Sequence, residues 1–195
     1  MTNKQKPILL EDGKNRCGWC NKSELYQRYH DEEWGKPLHD EDKHFEFLLL
    51  ETMQAGLSWY TILQRRENYR QAFAGFIAQK VAAFDESDVL RLMNDTGIIR
   101  NQAKIRAAIV NAERFLLIQK EFGSFDNYIW GFTGHKVINN QWNSMSQVPA
   151  TTELSNLVAK DLKKRGFKFV GSTTIYAHLQ AIGVVNDHLI DCWCK

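Results

Sequence analysis

All four cysteines of this 195-residue chain lie at its two ends: Cys17 and Cys20 near the start, Cys192 and Cys194 near the finish. Each pair has a histidine nearby, His30 or His188. If these groups share one ion, the two ends of the chain must meet, and that constrains the fold more than any other feature. No apolar run approaches the ~20 residues that a membrane-spanning helix needs. The first residues are too polar for a secretory signal. The chain is therefore expected to be cytoplasmic, with no membrane partner, and there cysteines favour metal over disulfides. His188 and Cys192 are four residues apart, one helical turn. One thiolate and one imidazole from each end would make a tetrahedral Cys₂His₂ set suited to Zn²⁺. Cys17-x-x-Cys20 and Cys192-x-Cys194 compete for that role, as does a reading of buried thiols with no ligand. The spacing matches no standard zinc finger.

Hydrophobic residues make up 44 % of the chain and charged residues 25 %, which excludes wholesale disorder. A chain of this length buries a real core without disulfides, as one domain or two small ones packed together. Only three prolines occur, and the stretches 38–55 and 85–96 lack both Pro and Gly, which favours helices. Asp40 can cap a helix whose apolar stripe is Phe45, Leu48, Leu49 and Met53. Gly56 ends it, and Ser58 can cap the next. Asp85 starts another, which stops at Thr96-Gly97; a further helix begins near Asn101. Two more run from about Thr152 to Lys164 and from about Phe169 to Ile182, and 135–147 reads as a loop. No strand pattern is strong enough to assign, so the fold class is all-α. Residues 1–14 read as a flexible tail before a folded domain spanning 15–195.

The net charge of +2 decides nothing by itself. Basic residues cluster, however, at Arg100, Lys104 and Arg106 and at Lys160, Lys163, Lys164, Arg165 and Lys168. Such clusters can neutralise phosphates, although a solvated helix face is the commoner meaning. Between two helices lies Thr96-Gly97-Ile98-Ile99-Arg100. Gly97 would permit a left-handed turn and a close phosphate, and the following helix start is a natural anion site. This is the pattern of a helix-hairpin-helix, which grips DNA through its backbone without reading sequence.

Several segments resemble one family: Arg16-Cys17-Gly18-Trp19, Tyr29-His30-Asp31-Glu32-Glu33-Trp34-Gly35, Gln54-Ala55-Gly56-Leu57-Ser58-Trp59 and Arg66-Glu67-Asn68-Tyr69-Arg70. So do 163–171 and Val185-Asn186-Asp187-His188. In order and spacing they resemble the 3-methyladenine DNA glycosylase I family, the constitutive bacterial type of the helix-hairpin-helix glycosylase superfamily. The resemblance runs from Arg16 to Cys192. It implies a helical glycosylase fold whose ends are joined by one structural zinc on Cys17, His30, His188 and Cys192. It also implies a base pocket with Glu51 as the catalytic carboxylate and Tyr29 and Trp59 as walls, with Trp19, Tyr26 and Trp34 close by and room for two subdomains flanking it. Gly97, Arg100, Lys104, Lys163, Lys164 and Arg165 would meet the DNA backbone. The chain departs from the family at Thr52 and Met53, which bears on pocket shape.

The implied activity is hydrolysis of the N-glycosidic bond of 3-methyladenine in alkylated double-stranded DNA, by a monomer, without lyase activity. N3-methylation makes adenine a cation and weakens that bond, so the protein needs chiefly to flip the base and hold it. Electron-rich indole and phenol faces attract a cationic base, and a buried carboxylate favours it further. Superfamily members often carry an Asp that supports the sugar cation. Asp126 lies near where one would look, but the family characteristically lacks that residue. The pattern alone favours Glu51 pairing with an Arg, and His39, His44, His135 and His178 would be surface or hydrogen-bonded groups. A non-catalytic helix-hairpin-helix binder with a structural zinc is the competing reading, and such a binder would need neither Glu51 nor an aromatic pocket.

Overall fold

The computed structural model describes residues 6–195. Its centre is helix α2 (Glu41–Gln54), buried on every side from His44 to Met53, as an all-round core helix should be. Asp40 caps it by accepting a hydrogen bond from Lys43 N. Around it lie α1 (Glu24–Glu32), α3 (Trp59–Leu63), α4 (Arg66–Ala72), α5 (Ala78–Ala82) and α6 (Glu86–Asn94). The long α7 (Gln102–Phe122), short α8 (Phe125–Gly131), α9 (Glu153–Lys164) and α10 (Ser172–Ala181) complete the set. Packing runs α5 and α6 on α7, α7, α8 and α10 on α2, and α9 on α10. One contiguous apolar core extends from Cys17 to Cys192.

Local capping chemistry places the helix starts. Ser58, Asp85, Asn101 and Thr152 each accept from a backbone N–H of the first turn, and Asp85 and Thr152 form reciprocal capping boxes. Helix α10 starts later than the sequence suggests, at Ser172. Phe169 has φ +56°, a left-handed conformation that no helix accommodates.

The fold is mostly helical, but two small strand pairs correct the strictly helical reading. Strand β1 (Pro7–Leu9) runs antiparallel to β2 (Asn15–Cys17), with Pro7 opposite Cys17. Residues 7–14 are thus part of a hairpin and not free tail, because Ile8 and its neighbours find backbone partners on β2. Residues 1–5 of the expected tail lie outside the described residues. Strand β3 (Ile138–Asn139) pairs in parallel with β4 (Val185–Asn186), and Trp142 bridges to Leu189, so the loop 135–147 is laced to the C-terminal segment.

His178 departs from expectation, whereas His44 is hydrogen-bonded to Asp126 as expected. Both are fully buried, where α10 packs on α2, and neither nitrogen of His178 has a hydrogen-bond partner among the described residues. Burial, with His44 nearby, pushes the His178 pKa down to about 3, so the ring is a neutral core group. Asp126 accepts from His39 Nδ1 at 3.0 Å and lies 2.9 Å from His44 Nε2, which occupies it away from any cavity wall.

The turn after α10 closes the molecule. Gly35 N donates to Gln180 O and Leu38 N to Ile182 O, tying 35–38 to the end of α10. Gly183 sits between them at φ +70°, and a Cβ there would lie 2.1 Å from the Lys36 carbonyl carbon. Both the left-handed backbone and the missing Cβ are required. Gly183→Ala should therefore lose about 3–5 kcal/mol of unfolding free energy, from strain and overpacking together. Chemical denaturation reads this directly; a loss under ~1 kcal/mol would mean that the contact relaxes easily.

Candidate active site and metal centre

Two structures meet between the chain's ends: a metal-ligand cluster and a cavity. Sγ of Cys17 and Cys192, Nε2 of His30 and Nδ1 of His188 converge, all from buried residues within 4.8 Å of one another. Cys192 Sγ lies 3.4 Å from His30 Nε2 and 3.6 Å from His188 Nδ1, and Cys17 Sγ is 3.8 Å from His188 Nδ1. Tetrahedral bonding with Zn–S near 2.3 Å and Zn–N near 2.0 Å puts neighbouring S and N about 3.6 Å apart. The outer nitrogens are engaged as a ligand set requires. His30 Nδ1 is 2.7 Å from Asp31 Oδ1, itself gripped by Arg16, and His188 Nε2 donates to the Trp34 carbonyl at 2.9 Å. Those bonds leave the inward nitrogens free to coordinate. The group can hold a metal ion. Cys20 and Cys194 fall outside it; Cys194 instead lies near Asp31 and the outer nitrogen of His30.

Beside this cluster is a cavity of about 210 Å³, lined by Trp19, Tyr26, Tyr29, Trp34, Glu51 and Trp59, with Gln54, Met145, Ala177 and Gln180. Every aromatic residue expected at the pocket is there. Trp19 packs on Tyr26 and Trp34 at ring-centre distances of 4.8 and 5.0 Å, and Tyr29 on Trp59 at 5.3 Å. Buried Trp59 Nε1 has no hydrogen-bond partner among the described residues.

Glu51 is only 3 % exposed, and no Arg or Lys pairs with it among the described residues. Burial alone pushes its pKa up to about 8. Glu46, on the same helix, shows the contrast. Burial acts against its charge too, but Arg66, Arg70 and Lys43 bind it at 2.6, 2.6 and 2.9 Å and hold its pKa below the ordinary value. The helix thus carries one buried carboxylate saturated with cations and one left without any. The residues that the sequence did not reveal are Gln54, Met145, Ala177 and Gln180. Gln54 lay inside a quoted motif; the other three come from distant loops and helices with no local signal.

The expected phosphate contacts fare unevenly. Arg100, Lys163 and Lys164 are exposed and have no ion-pair partner among the described residues. Lys104 is 7 % exposed, and its Nζ donates to Met53 O at 2.8 Å and Ala55 O at 2.5 Å. It caps the carboxyl end of α2 and cannot reach a phosphate. Burial lowers its pKa, and no nucleophilic lysine lines the cavity. Arg165 is held by Asp161 and Glu121 and stacks over Phe122 and Tyr128. Gly97 does not adopt a left-handed φ. Its N–H donates to Asp95 Oδ1 at 2.8 Å, and a Cβ would crowd Asn68 at 3.1 Å, so its small size serves packing. Arg100 and Arg165 lie near opposite ends of α7, about 30 Å apart at 1.5 Å per residue.

Comparison with known proteins agrees with this geometry. The methyladenine glycosylase family model matches residues 19–195. The chain is 48 % identical over 179 residues to DNA-3-methyladenine glycosylase 1 of Escherichia coli (strain K12), covering 92 % of this chain and 96 % of that protein. A crystal structure of 3-methyladenine DNA glycosylase I superposes with a TM-score of 0.90 at 47 % identity, covering 92 % of this chain and 99 % of that one. A Tyr-to-Phe variant of such a glycosylase in complex with 3-methyladenine superposes with a TM-score of 0.89 at 36 % identity, covering 92 % and 97 %.

Two outcomes follow from these placements. Cys192→Ser should lower metal content and thermal stability together, whereas Cys20→Ala should leave metal content at the wild-type value; metal analysis of both variants would expose a wrong ligand by equal losses. Lys104→Met leaves two carbonyls at the end of α2 without their cation and should cost about 1–3 kcal/mol of stability. Duplex affinity should keep its full salt dependence, in place of the slope reduction of about one that loss of a phosphate contact would give.

Proposed function

The chain belongs to the methyladenine glycosylase family, and from that premise we propose how its own residues excise 3-methyladenine from alkylated double-stranded DNA. The enzyme hydrolyses the N-glycosidic bond, releasing the free base and leaving an abasic site. The observation that carries the residue assignments is Glu51, a buried carboxyl without a cation in an aromatic cavity.

The flipped base enters the cavity against the π faces of Tyr29 and Trp59, which favour a cation, with Trp19, Tyr26 and Trp34 as the surrounding wall. The positive ring supplies the partner that Glu51 lacks, so binding favours the ionised carboxylate. Normal adenine carries no charge and leaves Glu51 either protonated or uncompensated, and this disfavours it. When the bond between the base and C1′ breaks, its electron pair goes to the base, which leaves neutral. The positive charge passes to the sugar, where water adds to C1′ and loses a proton. Among the described residues no lysine lines the cavity, in keeping with a monofunctional enzyme.

Zinc is the ion that two thiolates and two imidazoles select, and it would serve structure, because four protein ligands leave no position for water. Arg100, Lys163 and Lys164 are positioned on the surface to neutralise phosphates, giving affinity that falls with salt and hardly depends on sequence. We place this activity in a monomeric, cytoplasmic enzyme; no helix of the described residues is long and apolar enough to cross a membrane.

The test is release of free 3-methyladenine from methylated DNA as a function of pH. Ionised Glu51 is the binding form, and its pKa in the free enzyme is about 8. The value of kcat/KM should therefore rise with pH and level off above about 8. Glu51→Gln should lower kcat/KM about ten- to a hundredfold, as loss of a charged hydrogen bond does, and flatten this profile. The stability sign is opposite. A carboxyl whose folded pKa is raised stabilises the fold at low pH, and that contribution is lost as pH climbs from the unfolded value near 4.5 to about 8. Above pH 8 the Gln variant should melt higher than wild type. Wild-type release rates in the variant would place the base elsewhere, and no release by the wild type would favour the non-catalytic binder.

A further inference from the structure

Asp187, next to the metal-ligand candidate His188, is wholly buried. Its carboxylate collects four donors from two parts of the chain. Oδ1 accepts from Asn140 Nδ2 and Trp142 Nε1, both at 2.7 Å, and Oδ2 accepts from the Tyr176 hydroxyl at 2.5 Å and Gln180 Nε2 at 2.7 Å. Both oxygens are filled by these four donors, Trp142 Nε1 can only donate, and each neighbour turns a donor towards the carboxyl. For Gln180 this settles the orientation of the amide. Its NH₂ faces Asp187, and its Oε1 has no hydrogen-bond partner among the described residues. Gln180 lines the same cavity as Glu51.

We propose that Gln180 is a specificity-determining residue whose amide oxygen, held in place by Asp187, accepts a hydrogen bond from the exocyclic amine of the bound base. Asp187 is then a positioning residue that acts through Gln180. The inference rests on the reading that the cavity holds 3-methyladenine. A 6-amino purine offers two N–H donors, and the acceptors lining the cavity include the Glu51 carboxylate and the Gln180 carbonyl. A 6-oxo purine would present an oxygen where both protein groups also present oxygens. A site built to accept rejects an analogue without the donor, because its buried acceptor is left unpaired. Charge on the ring thus separates 3-methyladenine from adenine, while the paired acceptors separate 6-amino from 6-oxo bases. A freely rotating glutamine could not make the second distinction, since its NH₂ would serve a 6-oxo base equally well.

The experiment titrates two free bases, 3-methyladenine and 3-methylhypoxanthine, into the full-length metal-replete protein by calorimetry. Gln180→Met keeps the length of the side chain and removes the amide. The variant should bind 3-methyladenine about tenfold more weakly. Its affinity for the 6-oxo base should be unchanged or higher, so the preference narrows by at least that factor. Equal weakening for both bases would make Gln180 a packing wall, and an unchanged preference would remove it from recognition; either result overturns the proposal. A second measurement needs no substitution. In ¹⁵N spectra of the free wild-type protein, the Gln180 side-chain NH₂ should exchange slowly with solvent and stay protected when 3-methyladenine is added; fast exchange in the free protein would overturn the locked orientation. A wild-type protein that binds neither base would sink the assignment of the cavity as well, whereas 3-methyladenine binding that Gln180→Met leaves intact would sink only the role of Gln180.

Discussion

The meeting of Cys17 and His30 with His188 and Cys192 is the constraint on which the rest of the structure depends. These residues come from β2, α1 and the segment after β4, and they bring the two ends of the chain to one place. The cavity is built from their immediate neighbours. Trp19 follows Cys17, Tyr26 and Tyr29 share the helix of His30, and Trp34 offers its carbonyl to His188. From the other side, Gln180 is held by Asp187, which precedes His188. Loss of the ligand cluster would therefore loosen the aromatic walls together with the chain ends. An ion held by this group would act on the cavity through these walls, without touching what the cavity holds.

A second constraint is electrostatic, and it lies within a single helix. Glu46 and Glu51 are both buried on α2, yet their surroundings differ completely. Glu46 gathers Lys43, Arg66 and Arg70 and so fastens α4 to the core, with Arg66 reaching on to Glu33. Glu51 has no such partner and keeps its proton to about pH 8. A well-optimised core would not leave a carboxyl in that state. In the function proposed above, this cost to stability reserves the position for a cation that arrives with the substrate. Lys104 adds to the contrast. The carboxyl end of α2 has its own buried ammonium, but that ammonium is committed to the Met53 and Ala55 carbonyls and does not offset Glu51.

Much of this architecture is legible in the sequence, and what remains hidden has a common character. Asp40, Ser58, Asp85, Asn101 and Thr152 can be read as helix starts because a cap involves only the next three residues. The cavity aromatics and the ligand set could be identified because the family's Trp, His and Cys positions are rare and well spaced. The surroundings of Gly97, Lys104 and Arg165 are hidden from the sequence for the opposite reason. A basic or flexible residue beside a hairpin looks available for phosphate until its partner is known, and those partners are Asp95, the end of α2, and Asp161 with Glu121.

What the sequence by itself determined is the helical class, the main helix starts, the ligand residues and the carboxyl and aromatic chemistry of the cavity. The first two follow from short-range patterns, and the ligand set and the cavity chemistry follow from the resemblance of the Trp, His and Cys motifs to one family. Only the tertiary structure decided that residues 7–9 form a strand, that His178 is a neutral core group, and that Met145, Ala177 and Gln180 complete the cavity. It alone separated Glu51 from Glu46, which occupy the same helix with similar burial. The physical reason is that a charge's state is set by what lies within a few ångströms of it in space, and the groups that neutralise Glu46 or orient Gln180 are contributed by other elements of the chain.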